Sequence, residues 1–178
     1  MKTLQTERLT LRPMAAADTD AMLAIFNDPP VMASFGLNSF SRQQMEQWVQ
    51  RNLKHQDEFG YGLFSVILKS EGVLIGDCGL ETMQVDGVSS TELGYDFCSD
   101  YWNRGFATEV ASAVCDFAFG TLGLPRLISL IRVGNLASRR VSEKIGMHFH
   151  RAIVKRGIHY WVYAIESATS PDDRESED

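Results

Sequence analysis

Cysteine is scarce and scattered in this chain. Cys78, Cys98 and Cys115 form no C-x-x-C pair and have no histidine at metal-ligand spacing, which argues against a zinc module or a dithiol redox centre. They read as small buried hydrophobes in a reducing compartment. No apolar run approaches the length of a bilayer span, and none follows Lys2 to make a secretory signal, so cytoplasmic residence is the expectation. A basic excess is missing too. With 17 Lys+Arg against 23 Asp+Glu, the net charge of -6 gives no footprint for nucleic acid. Neither G-x-x-x-x-G-K-[ST] nor G-x-G-x-x-G occurs, so the common nucleotide-binding loops are absent, and no internal repeat is found.

What remains is an ordinary globular composition. At 178 residues, with 44% hydrophobic and 22% charged residues, the chain has material for one well-buried core and therefore one domain, expected over residues 1–166. From Ser167 onward it turns polar and acidic, with Asp172, Asp173, Glu175, Glu177 and Asp178 against Arg174. Such a segment buries too little surface to order itself, and residues 167–178 are expected to form a solvated tail.

Periodicity outlines the elements. Leu9 to Arg12 alternates as a half-buried strand that Pro13 ends, and Asp18 is placed to cap a short helix bearing Met22, Ile25 and Phe26. Asp28-Pro29-Pro30 is expected to stop that helix and leave Val31 to Phe40 irregular. Ser41 and Gln44 have capping-box spacing before a helix whose stripe is Met45, Trp48, Val49 and Leu53. Leu63–Leu68 and Val73–Leu80 read as an antiparallel hairpin, and Thr91–Phe97 as a third strand after the Asp86-Gly87 turn. Two last strands, Phe149–Val154 and Tyr160–Ile165, join through Lys155-Arg156-Gly157. Strands and helices mix without strict alternation, which predicts an α/β (α+β) domain with a mixed, mostly antiparallel sheet.

Two strand-to-helix units carry the chemical signal. After the strand ending at Phe97 comes Tyr101-Trp102-Asn103-Arg104-Gly105-Phe106-Ala107-Thr108-Glu109, leading into a helix with Phe106, Val110, Ala113, Val114 and Phe117 on one face. A glycine turn at a helix start leaves unpaired N–H groups at the positive end of the dipole, which is a seat for an anion. Gly105 admits a phosphate close to the backbone, Ala107 keeps the next turn narrow, and Arg104 adds charge at the rim. An ordinary turn with a solvated arginine would have the same sequence. The second unit is the strand Arg126–Ile131, followed by Asn135 as an N-cap, an apolar stripe of Leu136, Val141 and Ile145, and Gly146 as the stop.

The order ELGYDF, YWNRGFATEV, LPRLISLIRVGNLASRRVSEKIGM, preceded by Gln5-Thr6-Glu7-Arg8-Leu9-Thr10-Leu11-Arg12-Pro13, resembles the GNAT (GCN5-related) N-acetyltransferases over residues 5 to 165, and most of all their RimJ/RimL-like branch that acetylates protein N-termini. The resemblance implies the GNAT acyl-CoA N-acyltransferase fold and acetyl-CoA as co-substrate, with no metal. It implies an amine acceptor, either a protein N-terminus or a small molecule, with neither nucleic acid nor membrane as partner, and it allows a homodimer. It implies that the diphosphate of the coenzyme rests on Asn103, Arg104, Gly105, Phe106, Ala107 and Thr108. The pantetheine arm would run along Tyr95, Asp96 and Phe97, where a backbone N–H would face the thioester carbonyl as an oxyanion donor. Asn135, Ser138 and Arg139 would add contacts from the second unit, Arg139 with Arg140 and Lys144 toward the 3'-phosphate. Phe35, Trp48 and Phe59 become candidates for the acceptor's cover, and His159 and Tyr160 for its far wall.

Two departures from the family pattern stand out. Trp102 occupies the first position of the usual Gln/Arg-x-x-Gly-x-Gly/Ala, losing a side-chain phosphate contact, and Ser142 stands where many members have a tyrosine acid. Ser138 is the alternative hydroxyl for the departing thiolate, acting by hydrogen bonding or a water relay; equally, Ser138 completes a helix cap and Ser142 faces solvent. Glu92 is the foremost general-base candidate, with Glu81 on the neighbouring strand in reserve. An acyl-CoA-binding regulatory module without turnover is the alternative reading.

Overall fold

The computed structural model describes residues 1–36 and 39–168. Eight strands form a single sheet: β1 (Leu4–Gln5), β2 (Leu9–Pro13), β3 (Leu63–Leu68), β4 (Val73–Val85), β5 (Val88–Phe97), β6 (Arg126–Arg132), β7 (His148–Lys155) and β8 (Ile158–Glu166). Their order is β1-β2-β3-β4-β5-β6-β8-β7, antiparallel throughout except for β5 and β6. The helices are α1 (Thr19–Ile25), α2 (Pro29–Phe35), α3 (Arg42–Phe59), α4 (Phe106–Gly120) and α5 (Leu136–Lys144).

Local chemistry explains most of these boundaries. The β4–β5 and β7–β8 hairpins close through two-residue turns, Asp86-Gly87 and Arg156-Gly157, with positive φ at both central residues. Such turns match the right-handed strand twist. Ser41 caps α3 as the spacing predicts: Gln44 N–H donates to Ser41 Oγ at 3.2 Å and Ser41 N–H to Gln44 Oε1 at 2.8 Å.

Three expectations need correction. Pro29-Pro30 begins a helix rather than leaving an irregular stretch, because proline's fixed φ suits the first turn, where its missing N–H has no partner to lose. Asp18 makes no side-chain cap for α1; its buried carboxylate pairs with Arg12 at 2.5 Å and accepts from Ser65 Oγ at 2.7 Å. Leu136 is exposed, so only Val141 and Ile145 of the α5 stripe reach the core.

Strand alternation divides the sheet into two faces. On one, Cys78, Leu80, Leu93 and Phe97 pack with Phe106, Val110 and Val114 of α4. On the other, Leu63 packs with Met22, Met45 and Val49 beneath α1 and α3. The ordered chain runs past residue 166, since Ser167 N–H donates to Pro125 O at 2.8 Å. The remainder of the expected tail, residues 169–178, lies outside the described residues.

Candidate active site

At the middle of the sheet, β5 and β6 meet only at Glu92↔Ile128 and then part. Side chains finish the backbone groups that the ladder abandons: Glu92 Oε1 accepts from Leu130 N–H at 3.1 Å, and Ser129 Oγ donates to Leu93 O at 2.6 Å. Beyond that point the β6-facing edge of β5 is open. Cys98 N–H bonds Ile75 O on β4, so alternation gives Leu93, Tyr95 and Phe97 the main-chain groups that face the slot. Asp96 turns its amide toward β4 and contributes only a side chain, on the α1/α3 face.

The slot leads to the start of α4. Gly105 is its N-cap with φ 83°, and Glu109 N–H is the first amide to reach a helix carbonyl, Gly105 O at 3.1 Å. The amides of Phe106, Ala107 and Thr108 therefore project from the helix end. Asn103, at φ 58°, bends the chain into this turn. Trp102 Nε1 donates to Phe97 O at 2.7 Å, tying the turn to the last residue of β5. Arg104 lies over the rings of Tyr101 and Phe106, 5.4 and 4.9 Å from their centroids, at the rim of the turn.

Behind the turn is a clamp that sequence inspection missed. Glu109 accepts from Thr6 Oγ1 at 2.6 Å, from Arg8 N–H at 2.9 Å and from the Arg8 guanidinium at 2.7 Å, and these donors hold its carboxyl below the usual carboxylate range against the opposing effect of burial. Arg8 also donates to Arg104 O at 2.9 Å. The opening segment and the anion turn are thus one physical unit. Their joint occurrence was the available signal.

On the α4 face, Asn135 Oδ1 accepts from Ser138 N–H at 3.1 Å and caps α5 as expected. Ser138 is half-buried, and among the described residues no partner holds its Oγ. Ser142 is fully buried rather than solvent-facing. Its Oγ lies 3.4 Å from the hydroxyl of Tyr95, which donates to Ser138 O at 2.8 Å. Burial pushes the Tyr95 phenol well above its ordinary value, so it stays protonated and fixes α5 against β5. Arg139 Nε lies 3.2 Å from Glu143 and its guanidinium sits over Trp161, so it is engaged within its own neighbourhood.

Glu92 points the opposite way, onto the α1/α3 face. Burial raises its carboxyl to about 7, against the lowering effect of Leu130 N–H. Glu81 stands directly across from it on β4. The slot therefore has a carboxylate on one face of the sheet and hydroxyls on the other.

A family model described as an acetyltransferase (GNAT) domain matches residues 8–148, a span that includes the clamp, the slot and both strand-to-helix units. The chain belongs to the GNAT acetyltransferases. A Bacillus subtilis protein, YkkB, is 36% identical over 154 residues, covering 85% of this chain and 88% of its own. A Bacillus licheniformis N-acetyltransferase, p20, is 32% identical over 146 residues, covering 82% of each. Among solved structures, an acetyltransferase from Agrobacterium tumefaciens is 30% identical with a TM-score of 0.81, covering 94% of this chain and 95% of the other. The GNAT fold and acetyl-CoA-dependent acetyl transfer expected from the sequence are accordingly properties of this chain.

In this acetyltransferase the aromatic residues expected over the acceptor divide. Phe35 and Trp48 pack on Phe26, with ring centroids 5.6 and 5.1 Å away, and belong to the second core. Phe59 is exposed and stacks on His55. His55 links Tyr61 O and Thr82 N–H through its two ring nitrogens, a structural use. Tyr160 joins the small cluster around Ile128 and Ile153, and His159 is exposed. Cys78 and Cys115 are buried with thiols pushed up by burial, as inert hydrophobes would be, whereas Cys98, expected to be buried with them, is only half-buried just after β5; no metal-binding cluster occurs among the described residues. Nor is any described helix long and apolar enough to cross a membrane.

Proposed function

We propose that the chain moves an acetyl group from acetyl-CoA directly to a primary amine in a ternary complex, as one domain working in the cytoplasm. The observation that carries this reading is the single β5–β6 bridge, which leaves a slot through the sheet with Glu92 on one side and Ser138 and Ser142 on the other. The diphosphate rests on the turn from Asn103 to Thr108, and pantetheine runs along the open edge at Tyr95 and Phe97. Asn135 and Arg139 flank that arm from α5. The thioester then lies in the slot, its carbonyl against a β5 amide.

The amine approaches from the Glu92 side. Glu92, directly or through one water, takes a proton from the ammonium, and the nitrogen lone pair attacks the thioester carbon. Negative charge gathers on the carbonyl oxygen, where a fixed N–H opposes it. As the C–S bond breaks, the nitrogen sheds its second proton and the thiolate forms on the opposite face, where Ser138 Oγ donates a hydrogen bond and, through water, relays that second proton to complete the thiol. The products are an N-acetyl amine and coenzyme A, and the proton held by Glu92 returns to solvent. Ser142 acts behind this through the Tyr95 hydroxyl, holding α5 at the slot.

Mixing the protein with acetyl-CoA and a panel of amines, while following free thiol, tests the reading. Acceptor-dependent thiol release supports it. Tight coenzyme binding with no release, equal in wild type and Glu92→Gln, would instead mark an acyl-CoA-binding module without turnover.

A further inference from the structure

The face onto which Glu92 opens carries more acid than proton transfer needs. Asp77 pairs across the β4–β5 ladder with Asp96, and Glu81 with Glu92, so two carboxylate pairs stand on one face of two central strands. Between them the ladder pairs Gly79 with Gly94. A Cβ on Gly79 would strike Gly62 O, whereas one on Gly94 would meet nothing within 4 Å. Open space thus lies over β5 between Glu92 and Asp96, in the interior of the sheet.

Buried polar groups without partners border that space. Asp77 is 1% exposed, and its Oδ2 has no hydrogen-bond partner among the described residues. Alternation turns it toward the same face as Asp96 and Glu81, and these are the charges that act on it. From the helical wall, Asn52 is equally buried, with neither amide atom partnered among the described residues. It sits on α3 between Val49, which packs with Leu63, and Gln56, whose amide donates to Leu63 O; Leu63 pairs with Gly79 on the floor. Unsatisfied buried groups of this kind are rare and costly, and a carboxylate without a counter-ion is costlier still. Lys155 acts on Glu92, while the nearby charges acting on Asp77 and Asp96 are acidic.

We propose that the acceptor is a linear polyamine, its reacting nitrogen at Glu92 and Glu81 and a second ammonium held at Asp77 and Asp96. The proposal rests on the acetyl transfer to an amine described above and names the substrate class. Four residues of strand separate Glu92 from Asp96, about 13 Å at 3.3 Å per residue, within reach of an extended polyamine. A protein N-terminus carries one ammonium followed by a neutral peptide, and leaves the second acid pair without a cation. Burial and the neighbouring acids raise the carboxyls of both aspartates, as expected of a cation seat with no cation in it.

Rates of thiol release with n-butylamine, 1,4-diaminobutane, spermidine and a hexapeptide with a free N-terminal serine decide the matter. The expected result is a preference of about tenfold or more in kcat/KM for spermidine over butylamine, with 1,4-diaminobutane, too short to span both acid pairs, nearer to butylamine. Asp77→Asn should reduce that preference by about tenfold, chiefly through KM, which matches the loss of one charge-assisted hydrogen bond. Equal use of butylamine, a better rate with the peptide, or an unaltered preference in a folded Asp77→Asn protein overturns the proposal. If no amine releases thiol, the transfer reading fails. Calorimetric titration of spermidine into the coenzyme A-saturated protein then still decides: binding weakened by Asp77→Asn supports the acid seat, and no binding overturns it.

Discussion

Glu92 shows how one side chain serves two ends. Its carboxyl closes the last gap between β5 and β6 through Leu130 N–H, and the burial needed for that bond lifts it to about 7. A base of that strength is matched to neutral pH. Below pH 7 the group is protonated and accepts nothing, so kcat/KM should rise with pH through about 7 and then level off. In Glu92→Gln the limb should vanish and kcat/KM fall by about a hundredfold or more; a profile unchanged by the substitution would remove Glu92 from the mechanism. Stability should run the other way. Between the ordinary carboxyl value and about 7, the folded chain keeps a proton that the unfolded chain has released, so this group's contribution declines as pH rises through that window. Thermal melts of wild type and Glu92→Gln from pH 5 to 8 check the sign. The candidacy of Glu92 was legible in ELGYDF, but its bond to Leu130 was not, because the two lie 38 residues apart. The same holds for Ser142, whose burial against Tyr95, 47 residues distant, removes the solvent-facing alternative.

Among the elements, the start of α4 carries the most consequence for the least sequence. Gly105 sits at φ 83°, where a β-carbon is strained, and that carbon would lie 3.4 Å from the Arg8 guanidinium. Gly105→Ala should therefore lower stability by about 1–2 kcal/mol, or roughly 2–8 °C in melting temperature, and also raise the KM for acetyl-CoA as the projecting amides tilt. An alanine variant with unaltered KM would place the diphosphate elsewhere. Elements bounded by their own side chains were readable in advance: Ser41 with Gln44 for α3, Asn135 with Gly146 for α5, Asp86-Gly87 for the β4–β5 hairpin. Proline has two effects at α2: Pro29-Pro30 forbids helix behind it, which ends α1, and favours helix ahead of it, which the expectation of an irregular stretch left out. The Glu109 clamp escaped because an acid in the first turn of a helix already has a local reason in the dipole, so nothing points from it to Arg8 until β2 and α4 are adjacent.

For the whole molecule, the coenzyme is expected to act as a stabiliser. A ligand that binds only the folded chain adds about 2.7 kcal/mol at a hundredfold excess over its Kd, a rise of roughly 5–10 °C for a chain of this size. Saturating coenzyme A that leaves the melting temperature unmoved would count against the whole arrangement. Overall architecture was readable because the strands alternate cleanly and the hairpin turns are strong, but the parting of β5 from β6 was not. No residue pattern announces where a ladder stops; here it is visible only in Ser129 and Glu92 reaching across to finish it. That parting has a mechanical meaning. With one stitch joining them, the two halves of the sheet are held together largely by what packs above and below, and a coenzyme arm laid along β5 would sew up the seam. Amide exchange at Tyr95 and Phe97 should accordingly slow when coenzyme A is added, while the already paired amides of β3 stay as they were.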